Sequence, residues 1–575
     1  MRRLCIVLAA CAHAPTAKSS VDANARASAV ADQVLHVSFV RFIGLPTSLR
    51  IPGERFDTLP PSSLAEVRAL TQREDELQRQ LAAIDPAAVT DPSARLALAI
   101  ARDRLDSSIR ARVCRDELWG LSPASNGWQV SLGNVAQLQP VGSDDLRAQA
   151  LARFGKLPRF IDDQIETLRE GLRLGYAAAA PSVRAVLAQI AALEAMPVED
   201  SPFFSPATHD ATPAFREQFT ALVRDGITPA LHRYHEFLER EYLPHARRTT
   251  GISGQPDGDA CYRAALREYT TLELDPREVH ALGLRRLDEL EAEMREITQR
   301  AFGSTDLAAI MQRLRSDPAL VYRDKDDITR QTESALARAR AALPTAFHLL
   351  PRADFVLEPI PAYQEKAASP YYMAAALDGS RPAAYRVRYY DPQHQSRANG
   401  EAIAFHEVLP GHHLQLSIAH ERAEIPAIAR YAFMPAFSEG WGLYAERLAD
   451  EMHLYSDDIA RLGMLSLAAV RAVRLVVDTG LHAQGWDRQK AIDMMVQHTT
   501  FAPEQAAAEI DRYIAWPGQA TAYTVGYLEI MKLRDEAKHA LGSRFDLREF
   551  HDRVLEHGAV PLPVLRAYLE AWIRR

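Results

Sequence analysis

Glycine is scarce in this chain of 575 residues, with 27 in all, below the roughly 7% of average proteins. With Ala, Leu, Arg and Glu abundant, that scarcity argues against anything but a mostly helical protein. Positive charge is short as well. A net charge of -8 and a pI near 6.2 leave no basic footprint, which excludes nucleic acid as a natural partner. Beyond the first dozen residues no apolar run approaches the roughly 20 residues that span a bilayer. Cysteine is limited to four residues. Cys5 and Cys11 fall in an amino-terminal address; Cys114 and Cys261 are too far apart for a metal motif, and whether they pair stays open.

The address itself is Arg2-Arg3, the apolar run "LCIVLAA" and then Cys11, a charged start, a short apolar stretch and a small-residue cleavage site. Leu8-Ala9-Ala10-Cys11 resembles a bacterial lipobox, in which Cys11 is lipidated and becomes the first residue; an ordinary signal peptide is the alternative. Ala12 lacks the aspartate of inner-membrane retention, so the expectation is a periplasmic protein anchored to the outer membrane through lipid alone. Residues 12–28 read as a flexible tether, 29–345 as a helical amino-terminal region and 346–575 as the catalytic region.

Helical periodicity runs through most of the chain. Leu64, Val67, Leu70, Leu77, Leu81 and Ile84 share a face. A second helix opens with Asp275 as N-cap, Pro276 at N1 and Glu278 at N3, three start signals in four residues. The texture changes near 350–392, where "ADFVLEPIPAY" and "AAYRVRYYDP" read as strands bounded by Pro and Gly-Ser turns. A strand beside a catalytic helix can hold an extended peptide by main-chain bonds, which makes Tyr389 a candidate substrate contact.

The chemistry concentrates in "IAFHEVLPGHHLQL", residues 403–416. His406-Glu407 opens it like H-E-x-x-H, whose two histidines share a helix face, but Pro410 stands where the second histidine belongs. Proline breaks the helix and Gly411 opens unusual backbone angles, so His412 is the favoured second ligand, returned by a bulge, with His413 at i+7 the alternate. A catalytic zinc needs three protein ligands; Glu439, in "PAFSEGWGLYAERLADEM", supplies the third, with Glu446 one face-turn on as alternate. Gly440 and Gly442 beside Trp441 suggest close packing on the metal helix. Arg471, Arg474, Asp478 and His482 form a polar stripe on an apolar helix, either a buried Arg-Asp pair or a pocket wall. Gln519, Tyr523 and Tyr527 follow another Pro-Gly break, and a phenol near zinc can donate to an oxyanion.

"HEVLPGHHLQ", "SEGWGLYAERL", "VVDTGLH" and "PGQATAYTVGYLEI" together resemble the bacterial domain-of-unknown-function 885 family, and "REYTTLELDPREVHALGLRRLDELEAEM" and "ALDGSRPAAYRVRYYDP" extend the likeness over nearly all the mature chain. The resemblance implies a large, mainly α, zincin-like metallopeptidase fold, with a small β-sheet next to the metal-binding helix, enclosing a channel. It implies one Zn2+, Glu407 as general base and a downstream glutamate ligand; "GYLEI" is also similar to the Gly-Tyr segment of thimet-type oligopeptidases, which favours Tyr527. The reading is hydrolysis of short peptides by His406, His412, Glu439 and Glu407, with Tyr523, Tyr527 and His482 assisting and Arg474, Gln519 and Tyr389 holding substrate. A non-catalytic peptide-binding lipoprotein and a zinc hydrolase of non-peptide amides are the alternatives.

Overall fold

A computed structural model describes residues 17–361, 364–365 and 368–574; Leu8 to Cys11, the lipobox reading and its lipidated cysteine, lie outside the described residues. The chain is mostly helical. Helix α1 (Ala17–Arg41) takes up residues 17–28, which were expected to belong to a flexible tether; residues 12–16 of that tether lie outside the described residues. Ala27, Val30, Ala31, Val34 and Leu35 are all buried, an i, i+3, i+4, i+7, i+8 stripe, so the segment has an apolar face to bury and packs it.

Helix α2 (Leu64–Ala82) starts at a capping box: Ser63 accepts from the Glu66 N–H, and the Glu66 carboxylate accepts from the Ser63 N–H, satisfying two donors at once. Helices α1, α2 and α3 (Pro92–Ala111) share one apolar core with elements beyond residue 279. Between them α4 (Trp128–Leu138), α5 (Leu157–Leu174) and α6 (Thr228–Phe237) build a second core around Trp128, Phe154, Phe160, Phe219 and Tyr234. The boundary expected near residue 345 is therefore not a packing boundary. Helices α1, α2 and α3 join the carboxy-terminal half, and the 121–242 region, with Ile43, forms its own core.

Helix α7 (Gly258–Thr270) carries Cys261, which is disulfide-bonded to Cys114 within a third, smaller core around Leu118, Trp119, Tyr262 and Leu266. Helix α8 (Pro276–Phe302) is capped as its sequence requires, Asp275 accepting from the Arg277 N–H at 2.8 Å, and it ends at Gly303 in the left-handed region. Val279, Leu287, Leu290, Met294 and Ile297 are buried and Leu282 half-buried.

After α9 (Lys325–Ala346) the chain makes a sheet of three strands, β1 (Phe355–Pro359), β2 (Tyr371–Met373) and β3 (Ala383–Val387), in the order β1-β3-β2. β1 runs parallel to β3 and β2 antiparallel to it. The strand containing "YRV" is thus central, with both edges taken, and cannot accept an added peptide strand; the edge strands are β1 and β2. Among the helices that follow are α10 (Gly400–Glu407), α11 (His412–Glu421), α12 (Pro435–Glu451), α13 (Asp458–Ala483), α14 (Pro503–Ala515) and α15 (Ala522–Leu541). Helix α13 runs through the core and receives α8 at Gly283, where a Cβ would lie 2.8 Å from Leu475 and Val476 side-chain atoms. Among the described residues no helix is long and apolar enough to cross a membrane.

Candidate metal centre

Helix α10 stops at Glu407 because the next residues cannot continue it. Val408 leaves helical angles, Pro410 follows a cis Leu409–Pro410 bond and lacks an N–H, and Gly411 lies against the carbonyl oxygens of Phe405 and His406. Any Cβ at Gly411 would overlap those oxygens, so the close approach demands glycine. Trp441 of α12 holds the turn by donating its Nε1–H to the Pro410 carbonyl at 3.0 Å. The chain reverses over four residues and a new helix begins at His412. The His406 and His412 rings meet with centroids 4.8 Å apart and planes at 87°.

Glu439 comes from α12. Its Oε2 lies 3.5 Å from His406 Nε2 and 3.6 Å from His412 Nε2, and the three ligand atoms lie within 4.8 Å of one another. Tetrahedral zinc, with bonds of roughly 2.0–2.2 Å, separates neighbouring ligand atoms by about 3.4 Å, so the donor set fits. α12 reaches this position through its glycines. A Cβ on Gly442 would stand 2.5 Å from His406 Cε1, and one on Gly440 would stand 2.5 Å from the backbone of Gly526 in α15.

The remaining nitrogens of both rings are held. Glu446, the alternate ligand, instead accepts from His406 Nδ1 at 2.7 Å, and its Oε1 is 3.2 Å from Arg471 Nη2. That bond fixes the tautomer and leaves Nε2 for a metal, the usual arrangement behind a ligating histidine. His412 Nδ1 is 3.5 Å from Gln415 Oε1. Burial opposes a charged His406, but hydrogen bonds to Glu439 and Glu446 carry its pKa up to about 9. Burial likewise works against a charged Glu439, yet His406 and His412 hold it well below the usual carboxylate range.

His413, the other alternate, points elsewhere. It accepts from Tyr372 Oη at 3.1 Å and donates to the Ala353 carbonyl at 3.1 Å, and burial pushes its pKa down to about 4. Glu407 accepts the Tyr372 N–H of edge strand β2 at 2.9 Å. Tyr523 is half-buried under the Arg474 guanidinium, 4.5 Å from its ring centroid; burial and the neighbouring Glu439 raise its pKa. Tyr527, one turn on, lines a small pocket together with Arg286, Glu446 and Arg447.

Four expected site residues, His482, Tyr389, Arg474 and Gln519, have other partners. His482, expected to assist catalysis, accepts the Ile252 N–H at 3.0 Å and donates to the Tyr513 carbonyl at 3.0 Å; burial pushes its pKa down to about 3. Both ring nitrogens are consumed by backbone, so it has no proton to give. Tyr389 bonds Thr329 of α9 at 3.1 Å, beyond the end of β3. The expected Arg-Asp pair on α13 does not form: Arg471 faces Glu446, and Asp478 accepts from Tyr262 Oη at 2.6 Å and from the Gly518 N–H at 3.1 Å. Arg474 bonds Glu509 and Tyr513, and Gln519 accepts from Arg512. Tyr372, Gln415, Glu509 and Arg512 contact candidate site residues, and periodicity did not single them out. The signal available for Gln415 was its place at i+3 from His412.

A family model described as "Bacterial protein of unknown function (DUF885)" matches residues 45–569, and the chain belongs to that family. No curated protein matches it. Among solved structures it is similar to a "putative lipoprotein" of Colwellia psychrerythraea, with a TM-score of 0.88 and 26% identity over 96% of this chain and 99% of that one. It is also similar to a "putative lipoprotein of unknown function" of Shewanella oneidensis, with a TM-score of 0.72 and 18% identity over 94% and 99%. The second likeness shows the fold alone.

Proposed function

We propose that this protein is a zinc-dependent peptidase of short peptides, its metal held by His406, His412 and Glu439. The observation that carries the reading is the donor set itself: two histidine nitrogens 3.5 and 3.6 Å from one carboxylate oxygen, with the first histidine secured from behind by buried Glu446. Zinc bound there acts as a Lewis acid toward a water and a scissile carbonyl.

The chain's own groups supply the rest. Glu407 follows the first ligand directly and takes the proton of the attacking water, then delivers it to the leaving amine. Its bond to the Tyr372 N–H fixes the carboxylate against β2, whose outer edge can align an extended peptide. Tyr523 donates its hydroxyl to the developing oxyanion; Tyr527, turned toward Arg286, acts through packing. The triad is sunk beneath these elements, His406 being 3% exposed. A folded substrate cannot present its backbone there, which favours short peptides reached through an enclosed channel. The lipobox reading and the Colwellia structural relative described as a putative lipoprotein support an exported, lipid-anchored protein. Replacing Cys11 with Ser then abolishes membrane attachment, and a mature protein that keeps its initiator region unmodified overturns that reading.

The test is elemental analysis of purified protein together with cleavage of a mixed short-peptide library. One zinc per chain and cleavage are expected. Glu407→Gln retains the zinc and loses turnover by roughly 10²–10⁴-fold. Bound zinc without any hydrolysis rejects the peptidase reading and favours a binding protein.

A further inference from the structure

Three guanidiniums meet beside the triad, and two carboxylates serve them. Arg471 bonds Glu446 through Nη2, while its Nε and Nη1 are buried without a partner; the residue is 9% exposed. Arg474 directs Nε to Tyr513 Oη at 2.8 Å and Nη2 to Glu509 at 3.1 Å. Each nitrogen of Arg512 has a partner, Nε and Nη2 donating to Glu509 and Nη1 to Gln519. Glu446 pairs with Arg471 while Glu509 is shared by Arg474 and Arg512, so one positive charge is left over, on the Arg474–Arg512 pair, one helix turn from the open nitrogens of Arg471. Arg471 and Arg474 are three apart on α13 and share a face.

Helix packing sets this corner against the metal ligands. α12 and α15 touch backbone to backbone at Gly440 and Gly526, immediately after Glu439 and one turn beyond Tyr523. Thr524 Oγ1 donates to the Arg471 carbonyl at 2.8 Å, so the start of α15 is tied to α13. Tyr523 therefore separates Glu439 from Arg474, whose guanidinium covers its ring. Buried guanidinium nitrogens without acceptors are costly, and a native site of this kind calls for an acceptor.

We propose that this corner takes the free α-carboxylate of the substrate, bound by Arg471 and Arg474 across Tyr523 from the metal, so that the enzyme removes residues from the carboxyl end of short peptides. A carboxylate is planar and monoanionic; its two oxygens match a guanidinium fork, and its charge matches the single positive charge left over. The inference rests on the peptidase reading for its consequence but not for its test.

The test uses zinc-loaded Glu407→Gln protein and calorimetry with tetra-alanine and tetra-alanine carboxamide. The free acid is expected to bind roughly 10–100-fold more tightly, the range of a hydrogen bond to a charged group. Arg474→Met should reduce the acid to the level of the amide; Glu509 keeps Arg512 as partner in that variant. Arg474→Lys, which keeps the charge and loses the fork, should restore part of the difference and guards against a folding artefact. Equal binding of acid and amide to the parent site overturns the inference even if the wild type cleaves peptides. Discrimination in a protein that cleaves nothing leaves the carboxylate anchor standing and removes the peptidase reading alone.

Discussion

Helix α13 carries two buried polar clusters seven residues apart, and they differ in what they leave unsatisfied. At Arg471 the cluster is open: Arg471 Nε and Nη1 and Glu446 Oε2 have no partner, and the chain of contacts leads through His406 to three convergent ligand atoms. At Asp478 and His482 it is closed. Every bond of the His482 ring ends on backbone, and Asp478 accepts from Tyr262 and Gly518. Closed clusters hold segments together, whereas an open one awaits a ligand. The closed end pins α7, the Ile252 turn and the Gly518 turn to one helix.

The strongest way to break this contrast is to remove one histidine from each end. His412→Ala should abolish zinc binding, since two ligands do not make a site, with little change in unfolding temperature of the metal-free protein. His482→Ala should do the reverse, keeping the zinc but losing about 2–4 kcal/mol of stability, because a buried N–H and a buried carbonyl lose their partners. Metal content and denaturant unfolding of both variants check it. Loss of zinc from the His482 variant at a temperature where it is folded would abolish the distinction.

Acid sharpens the same contrast. His482 has a folded pKa of about 3 against roughly 6.5 unfolded, so between those values the unfolded chain binds a proton that the folded one refuses. Stability then rises with pH up to about 6.5 and is lost as pH falls through the window, by roughly 1.4 kcal/mol per unit for this one group. His551, whose pKa burial also pushes to about 3, adds a second such dependence. His482→Gln should flatten the slope by about one proton across pH 4 to 6. An unchanged slope means that His482 titrates normally.

Glu446 tests the open end more finely. Glu446→Gln keeps the size and an acceptor for His406 Nδ1–H but removes the charge behind it. Zinc affinity should fall roughly 10–100-fold without being lost, as for other groups that hold a ligating histidine. Competition with a chelator measures it. Complete loss would make Glu446 a ligand in its own right.

How much of this was legible follows from which interactions are local. Pro410 and Gly411 announce a break in a helix, and a break of that size returns His412, so the turn could be read from fourteen residues. The caps of α8 could be read from four. The fate of His482 could not, because its partner Ile252 is 230 residues away and a polar residue on an apolar face looks alike whether it is open or closed. His412 and His413 were likewise inseparable: one-residue neighbours on a helix point about 100° apart, and only the position of Ala353 and Tyr372 decides which is consumed. β2, at three residues, is too short to show a period. The α1 stripe was legible and hidden by its setting, since Ala carries little hydropathy and follows an exported leader.

Tyr389 gives the smallest and cleanest contrast. Its place in "AAYRVRYYDP" made it a candidate contact for an extended peptide, but the strand there is internal and ends at Val387. The Tyr389 hydroxyl bonds Thr329 in α9 instead, tying the strand's exit to the helix that packs against α10. Tyr389→Phe removes one half-buried hydrogen bond and nothing else, because the ring stays. The expected loss is about 0.5–1.5 kcal/mol of stability, seen as a shift of the denaturant midpoint at constant slope. Peptide affinity and turnover should be unchanged, since no bond from Tyr389 reaches the triad, Glu407 or the arginine corner. A raised KM with normal stability would return Tyr389 to the substrate path and require β3 to separate from β2 when peptide binds.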